Sequence, residues 1–343
     1  MADFSAEIGI LGAGAWGTAL ARHFCMKFGK ARIWAFEKEV ADAINTQHAN
    51  PMYLPDITLP DGLVATHDLQ AFADGLTLLV IVVPSHVLRR VISQLCVWLK
   101  NDIPIICATK GIENETWMTM DEVLTAILGA DTPNRLAILS GPSFAFDVAR
   151  GKATAVSLAG VNEPLCNELQ TCISNASFRA YTTPDVTGVE LGGALKNVIA
   201  IAAGAAYGLE LGHNAIAAIV TRGLAEMTRL CVKRGGEALT LAGLSGLGDL
   251  ALTCYGDLSR NRDLGVQLGR GRTFEDIQRS RITVAEGVKT AAGAYALAQK
   301  CGIDMPITQR VYEGLYEEKS PVQVLSELMG RDLKRELEFS CKT

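Results

Sequence analysis

The sequence predicts an α/β domain with a parallel sheet over residues 1–188, followed by an all-α domain over residues 189–343. Three observations predict this organisation. The 343 residues are enough for two domains of ordinary size. Up to about residue 160, short β-branched or apolar runs alternate with helical stretches, which is typical of a parallel sheet covered by helices. After about residue 188 the strand signals fade, and stretches rich in Ala, Leu and Ile take over.

Seven strands are expected in the α/β domain. The run 78–83 is apolar throughout, so it should be a central strand with both faces buried. Pro51 and Pro55 break regular structure and predict a loop over residues 50–56. The expected strands cover residues 8–11, 31–36, 63–66, 76–83, 103–108, 136–139 and 155–158.

Long helical runs at 191–209 and 215–234 dominate the second domain. The most apolar helix candidate, 198–209, is glycine-rich and shorter than the roughly 20 apolar residues that a bilayer requires. We therefore expect a buried core helix and no membrane span. A charged helix is expected at 331–338, followed by a frayed polar tail.

Composition and charge exclude several classes of function. A net charge of −5 provides no broad basic field for a nucleic acid. The nine cysteines are odd in number and contain no Cys-x-x-Cys pair, so neither a disulfide framework nor a metal site is indicated. Cysteines within apolar runs, together with an N-terminus that lacks a signal-peptide pattern, favour a reducing, cytoplasmic location.

Residues 12–17 form a Gly-x-Gly-x-x-Gly pattern between the expected strand 8–11 and a helical run at 18–28. Gly12 allows a tight turn, Gly14 lets the backbone approach a pyrophosphate, and Gly17 allows close packing of helix on strand. The helix N-terminus adds free N–H groups and a positive dipole end. A plain glycine turn is the alternative, but the strand, the helix and the spacing all favour a Rossmann-like dinucleotide site.

Glu37 directly follows the second expected strand, at the position where such sites hold the ribose hydroxyls with a carboxylate. A negative charge there would repel a 2′-phosphate, so NAD is favoured over NADP. The alternative is an ordinary acidic residue in the first turn of the next helix.

Eight motifs follow one another along nearly the whole chain: WGT at 16–18, NPMYLP at 50–55, TKGIE at 109–113, GPSFA at 141–145, GALKN at 193–197, GLGDL at 246–250, SRNR at 259–262 and AEG at 285–287. In this order they resemble the NAD(P)-dependent glycerol-3-phosphate dehydrogenase family. One departure is that Phe36-Glu37 stands where the bacterial pattern often has a basic residue, which puts NADP use in doubt.

The resemblance implies reversible hydride transfer between NAD(H) and a small phosphorylated triose, the pair dihydroxyacetone phosphate and sn-glycerol 3-phosphate. It implies a supply of glycerol 3-phosphate for glycerophospholipid synthesis, and a possible homodimer through the helical domain. The nearest rival is a related β-hydroxyacid dehydrogenase with a buried lysine. A catalytically silent NAD-binding sensor is a second rival, but it would not need Lys196 and Asp249 together.

Lys196 aligns with the general acid/base of the family. Without the resemblance, a lysine here would be interpreted as a surface residue whose ammonium snorkels to the solvent. The chemistry agrees, because ketone reduction needs a proton at the carbonyl oxygen, and burial or a nearby cation lowers the pKa of an ammonium. Lys110 is a candidate for that cation, and its alternative is a solvated loop lysine. Asp249 and Asn197 are implied to contact substrate; the alternative for Asp249 is a helix cap or turn.

The segment Ser259-Arg260-Asn261 opens a helical run ending near residue 268. Arg260 can grip a phosphate bidentately, with Ser259 and Asn261 as neutral donors, and the alternative is a solvated basic helix end. The resemblance adds Gly141 and Ser143 as substrate ligands. The residues implied for the cofactor are Gly12, Gly14, Ala15, Trp16, Gly17, Phe36, Glu37, Lys110, Ala145, Arg260, Val284 and Glu286.

Overall fold

The computed structural model describes residues 7–280, 285–333 and 335–336. An eight-stranded sheet has the order β3-β2-β1-β4-β5-β6-β7-β8, so the predicted central strand β4 does lie inside it. The strands are β1 Ile8–Leu11, β2 Ala31–Trp34, β3 Leu63–Thr66, β4 Leu78–Ile81, β5 Ile105–Cys107, β6 Leu136–Ser140, β7 Thr154–Ala159 and β8 Phe178–Thr183. All seven predicted strands occur, most of them one or more residues shorter or longer than expected.

Helices cover both faces of the sheet. They are α1 Ala15–Phe28, α2 Lys38–Gln47, α3 Leu69–Ala73, α4 Ser85–Leu95, α5 Met120–Leu128, α6 Ala145–Ala149 and α7 Glu163–Ile173, with 3-10 turns at Cys96–Trp98 and Thr132–Arg135. Strand β4 shows why two cores form. Leu78 and Val80 join the cluster under α1 and α7, whereas Leu79 and Ile81 join the cluster under α4 and α5. Alternate side chains of a strand point to opposite faces.

The sheet departs from the prediction at one edge. Strands β1 to β6 are parallel, but β7 runs antiparallel to β6, and β8 pairs parallel with β7. The connection from β6 to β7 consists of α6 and the loops that flank it. It returns the chain to the sheet at the end where β6 leaves it. Strand β8 was not predicted.

The helical domain consists of α8 Val186–Gly208, α9 Gly212–Lys233, α10 Ala238–Ala242, a π-helical turn at Leu244–Gly248, α11 Asp249–Tyr255, α12 Arg260–Gly269, α13 Phe274–Arg279, α14 Glu286–Cys301, α15 Pro306–Tyr316 and α16 Pro321–Met329. The prediction of a helix at 331–338 is wrong for the residues that the structure describes there, since residues 331–333 and 335–336 are not helical. The chain division at residue 188 stays a prediction.

Helix α8 is the core of this domain and is longer than predicted. Its 23 residues are long and apolar enough to cross a membrane by length and composition alone, but 89% of its most apolar 18-residue window is buried inside the protein. Lys196 consequently lies in the middle of the helix.

Two glycines allow α8 and α12 to cross at close range. A Cβ at Gly204 of α8 would collide with the carbonyl oxygen of Arg262, and one at Gly265 of α12 would collide with the carbonyl oxygen of Ile201. This close crossing fixes the start of α12, with Arg260, relative to the middle of α8.

Candidate active site

The glycine loop between β1 and α1 has the backbone geometry of a dinucleotide site. Gly12 has a φ of +117°, which favours glycine, and its N–H donates to the carbonyl oxygen of Trp34 at 3.1 Å. A Cβ at Gly17 would collide with the carbonyl oxygen of Gly12. At Gly14, by contrast, no described atom lies within 4 Å of an added Cβ, so a ligand can approach the backbone. Helix α1 begins at the next residue, Ala15, and its first turn also holds Trp16.

Glu37 is the N-cap residue of α2, three positions after the end of β2, but its side chain does not cap that helix. Instead, its Oε1 accepts a hydrogen bond from the hydroxyl of Tyr53 at 2.8 Å. The preceding residue, Phe36, is 69% exposed and presents its ring to Trp34 at a centroid distance of 6.3 Å. Both residues lie at the carboxyl edge of the parallel strands, where open α/β sheets bind ligands.

Asn50 joins the glycine loop to the loop that carries Tyr53. Its Nδ2 donates to the carbonyl oxygen of Ala13 at 2.9 Å and to the hydroxyl of Thr18 at 2.8 Å, and its Oδ1 accepts from the Tyr53 N–H at 3.2 Å. The predicted loop at 50–56 is confirmed, with an isolated bridge between Asn50 and Leu54. The motif at 50–55 contributed to the family resemblance, but it predicted no role for its asparagine or its tyrosine.

Two lysines meet one buried carboxylate where the chain after β5 contacts α8 and α11. Lys196 Nζ lies 2.5 Å from Asp249 Oδ1, and Lys110 Nζ lies 2.7 Å from Asp249 Oδ2. Asp249 is 1% exposed. Lys110 follows β5, Lys196 belongs to α8, and Asp249 is the first residue of α11. The structure thus brings together three residues that the sequence placed in three separate motifs.

The environment of Lys196 lowers the pKa of its ammonium to about 8. Burial is the largest cause, and the positive charge of Lys110 lowers the pKa further, whereas the carboxylates of Asp249 and Glu286 oppose the shift. Both causes anticipated from the sequence, burial and a neighbouring cation, therefore act on this lysine. An amine with this pKa can both donate and accept a proton near neutral pH.

Thr253 is a member of this cluster that sequence reasoning missed. Its hydroxyl accepts a hydrogen bond from Lys196 Nζ at 3.0 Å and donates to the backbone carbonyl of Asp249 at 2.6 Å. The signal was present in the sequence, because positions four apart on a helix share a face, and Thr253 stands four residues after Asp249 on α11.

The start of α12 is built as predicted, with Ser259 as its N-cap and Arg260 as its first residue. Ser259 Oγ accepts from the Arg262 N–H at 3.1 Å, which leaves the hydroxyl hydrogen available to a ligand. The positive charge of Arg260 acts to lower the pKa of Tyr53, against the effects of burial and of Glu37. The charge of Arg260 therefore lies near Tyr53, the hydrogen-bond partner of Glu37.

Asn197 and Asn261 lie beside each other and are both buried. Asn261 Nδ2 donates to Asn197 Oδ1 at 3.0 Å, and Asn261 Oδ1 accepts from the Gly287 N–H at 2.9 Å. Asn261 consequently ties α12 to α8 and α14. The Nδ2 group of Asn197, next along the chain from Lys196, keeps N–H donors for a ligand.

The turn after β6 supplies a backbone acceptor to the lysine cluster. Gly141 has a φ of +144°, and its carbonyl oxygen accepts from Lys110 Nζ at 3.3 Å and from the Ser143 hydroxyl at 2.9 Å. Helix α6 begins at Ala145, two residues later. The predicted ligands Gly141 and Ser143 thus adjoin Lys110.

Glu286, the first residue of α14, is close enough to the site for its charge to act on two titratable groups there. Its charge raises the pKa of Lys196 and opposes the lowered pKa of His86 at the start of α4. Val284, which the resemblance implied for the cofactor, lies outside the described residues.

The family model for the N-terminus of NAD-dependent glycerol-3-phosphate dehydrogenase matches residues 7–166, and the model for the C-terminus matches residues 185–326. The chain belongs to the NAD-dependent glycerol-3-phosphate dehydrogenase family. The two matched ranges contain both the glycine loop and the three residues of the lysine–aspartate cluster.

Relatives in this family match the chain over nearly its whole length. A glycerol-3-phosphate dehydrogenase [NAD(P)+] from Geobacter sulfurreducens is 48% identical, covering 97% of this chain and 99% of the relative. One from Myxococcus xanthus is also 48% identical, over 96% and 98% of the two chains. The crystal structure of glycerol-3-phosphate dehydrogenase from Coxiella burnetii is 41% identical, with a TM-score of 0.90 over 95% of this chain and 99% of that one.

Proposed function

We propose that this protein is a glycerol-3-phosphate dehydrogenase that interconverts dihydroxyacetone phosphate and sn-glycerol 3-phosphate with NAD(H). The observation that carries the proposal is the contact of Lys196 and Lys110 with Asp249 at the sheet edge that also holds the glycine loop. Family membership supports the same activity. The reaction adds a hydride to the ketone carbon and a proton to its oxygen.

The glycine loop fits a dinucleotide, because Gly12 and Gly17 allow the tight turn and Gly14 leaves its backbone accessible. NAD(H), when bound, supplies or accepts the hydride. The first turn of α1, with Ala15 and Trp16, provides N–H groups for the pyrophosphate. The other residues proposed to line the cofactor site are Phe36, Glu37, Lys110, Ala145, Arg260, Val284 and Glu286.

Glu37 sets the cofactor preference in this proposal. Its carboxylate accepts hydrogen bonds from ribose hydroxyls and meets a 2′-phosphate with like charge. We therefore propose a preference for NAD(H) over NADP(H). Equal catalytic efficiency with NADH and NADPH would remove this role from Glu37.

Lys196 is proposed as the general acid and base. In reduction its ammonium gives a proton to the ketone oxygen, and in oxidation its neutral amine takes the hydroxyl proton. Asp249 and Thr253 hold the amine in place through hydrogen bonds at 2.5 and 3.0 Å. Thr253 and the carboxylate therefore act as positioning groups for the proton carrier.

Lys110 is proposed to polarise the ketone oxygen and to lower the pKa of Lys196, since both ammoniums bind one carboxylate. Asn197, beside Lys196, offers amide donors to a substrate hydroxyl. Gly141 and Ser143, which adjoin Lys110, are proposed to complete this side of the substrate pocket.

The phosphate of the substrate is proposed to bind at the start of α12. Arg260 provides a bidentate cation, Ser259 a hydroxyl donor and Asn261 an amide donor, and the helix end adds N–H groups. A dianion at this end also offsets the unfavourable position of an arginine in a first turn.

We further propose that the enzyme works in the cytoplasm as a homodimer and supplies glycerol 3-phosphate for glycerophospholipid synthesis. Light scattering of the purified chain tests the dimer.

The activity is tested by following NADH oxidation with dihydroxyacetone phosphate, set against a panel of keto acids. Efficient turnover confined to the phosphorylated triose is expected. Turnover confined to keto acids would favour a β-hydroxyacid dehydrogenase, and cofactor binding without turnover of either would favour a sensor.

A further inference from the structure

The pairing of Tyr53 with Glu37 has no role in the reaction as proposed above, yet it holds the carboxylate that is proposed to bind the ribose. The Tyr53 hydroxyl donates to Glu37 Oε1 at 2.8 Å, and the two residues stand 16 positions apart in different elements. A carboxylate has two acceptor oxygens, so this bond occupies one and leaves Oε2 able to accept another.

The loop that carries Tyr53 is anchored to the glycine loop itself. Asn50 is 1% exposed and bonds the Ala13 carbonyl, the Thr18 hydroxyl and the Tyr53 N–H. The ring of Tyr53 packs on the core beneath the sheet. The backbone of Tyr53 is therefore anchored to the glycine loop through Asn50, while its side chain is held by packing on the core and by the bond to Glu37.

The phenol remains a donor across the physiological range. Burial and the neighbouring Glu37 carboxylate raise the pKa of Tyr53 to about 12, while the charge of Arg260 acts in the opposite direction. A protonated phenol keeps its hydrogen bond to the carboxylate throughout.

We propose that Tyr53 is a positioning residue for cofactor selection: by binding Glu37 Oε1 it holds the carboxylate where it accepts from an unmodified ribose and repels a 2′-phosphate. This inference rests on the proposed use of NAD(H). A carboxylate on a freely rotating side chain would swing away from a 2′-phosphate and would lose part of its bond to the ribose hydroxyl. Discrimination between the two cofactors therefore depends on the Tyr53–Glu37 pair, and not on Glu37 alone.

The test measures the dissociation constants of NADH and NADPH separately, by quenching of tryptophan fluorescence, without substrate or turnover. The variants are Tyr53→Phe, Glu37→Ala and the double variant, with Tyr181→Phe on the edge strand β8 as the matched control. Tyr53→Phe keeps the ring and deletes only the hydroxyl. Tyr53→Met, whose flexible chain fills similar space without a donor, is the second variant if the first does not fold.

We expect Tyr53→Phe to weaken NADH binding about 5-fold, the value of one hydrogen bond of about 1 kcal/mol, and to change NADPH binding by less than about 2-fold. In the Glu37→Ala background the same substitution should leave the ratio of the two dissociation constants unchanged, because there is no carboxylate to hold. Tyr181→Phe should change neither cofactor.

Equal weakening of NADH and NADPH by Tyr53→Phe would show a merely structural role and overturn the inference. The inference would also be overturned if Tyr53→Phe left the ratio of the NADH and NADPH dissociation constants unchanged in the protein that retains Glu37. A further loss of selectivity in the Glu37→Ala background would overturn it as well. The outcome is separate from the proposed activity: if the wild type binds NADH selectively but does not reduce dihydroxyacetone phosphate, the proposed function fails and the role of Tyr53 stands.

Discussion

Lys196 Nζ lies 2.5 Å from Asp249 Oδ1, while the other oxygen of the same carboxylate binds Lys110 at 2.7 Å. One negative charge thus holds two positive charges, and all three groups are largely shielded from water. The consequence is a lysine whose pKa is lowered to about 8 because burial and Lys110 outweigh the attraction of Asp249.

Replacing Lys196 with methionine should remove the proton carrier while keeping the apolar stem that α8 buries. Turnover of dihydroxyacetone phosphate should fall by at least about 100-fold, the lower end of the contribution of a positioned acid or base. NADH binding, measured by tryptophan quenching, should stay near the wild-type value because the glycine loop is not touched.

Lys233→Met is the matched control, since Lys233 is an exposed lysine in the last turn of α9. It should retain full turnover. A folded Lys196→Met protein that binds NADH and keeps most of its activity would remove Lys196 from the mechanism and make Lys110 the next candidate.

The pH profile should follow the pKa of Lys196. Reduction needs the ammonium, so its rate should fall as the pH rises through about 8; oxidation needs the neutral amine, so its rate should rise over the same interval. Asp249 raises this pKa. Asp249→Asn should therefore lower the pH at which the rate of reduction begins to fall.

The measurement is kcat/KM for reduction between pH 6 and about 10. Asp61→Asn, which removes the same charge at an exposed position, serves as the control. It should leave the pH at which the rate of reduction falls unchanged. A rate of reduction that falls at a higher pH in Asp249→Asn than in the wild type would contradict the assigned electrostatics.

Arg260→Ala should lower kcat/KM for dihydroxyacetone phosphate much more than kcat/KM for free dihydroxyacetone, because only the former carries the phosphate charge. A charge-assisted bond of about 1.5–3 kcal/mol corresponds to a loss of about 10- to 150-fold in kcat/KM. Arg279→Ala, an exposed arginine on α13, is the control. An equal loss for both substrates would reassign Arg260 to the cofactor or to the fold.

Glu226 should be a stability determinant of the helical domain. Its buried carboxylate accepts from the N–H groups of Ile307 and Thr308 at 2.7 and 3.1 Å, and from the Thr308 hydroxyl. Glu226→Ala leaves these donors at the start of α15 without their acceptor and should lower the free energy of unfolding by about 2–4 kcal/mol.

Urea denaturation followed by circular dichroism measures this loss. Glu275→Ala removes an exposed i,i+4 ion pair with Arg279 and should cost less than about 0.5 kcal/mol. A loss in Glu226→Ala no larger than in this control would show that water replaces the missing acceptor.

Local features of the fold were predictable from the sequence. The strand, glycine turn and helix at the start of the chain follow from patterns within about 20 residues, and so do the loop at 50–56 and the N-cap at Ser259. The antiparallel direction of β7 was not predictable in the same way. It depends on which end of the sheet the chain returns to after α6, whereas the run of apolar residues looks the same in either direction.

Candidate residues were also found by motif, but their relationships were not. Lys110 and Asp249 stand 139 positions apart, and Lys196 and Thr253 stand 57 apart, so no periodicity in the sequence links them. Asn261, predicted as a phosphate donor, proves also to join three helices.

By itself the sequence determined which residue types stand at each strand end and helix start, because turns, caps and apolar periodicity depend on neighbours within a few positions. Only the tertiary structure decided the pKa of Lys196 and the orientation of Glu37. Both depend on burial and on distances between atoms that are remote in sequence, and those arise only when α8 packs against α11 and when Asn50 anchors its loop beside Gly12.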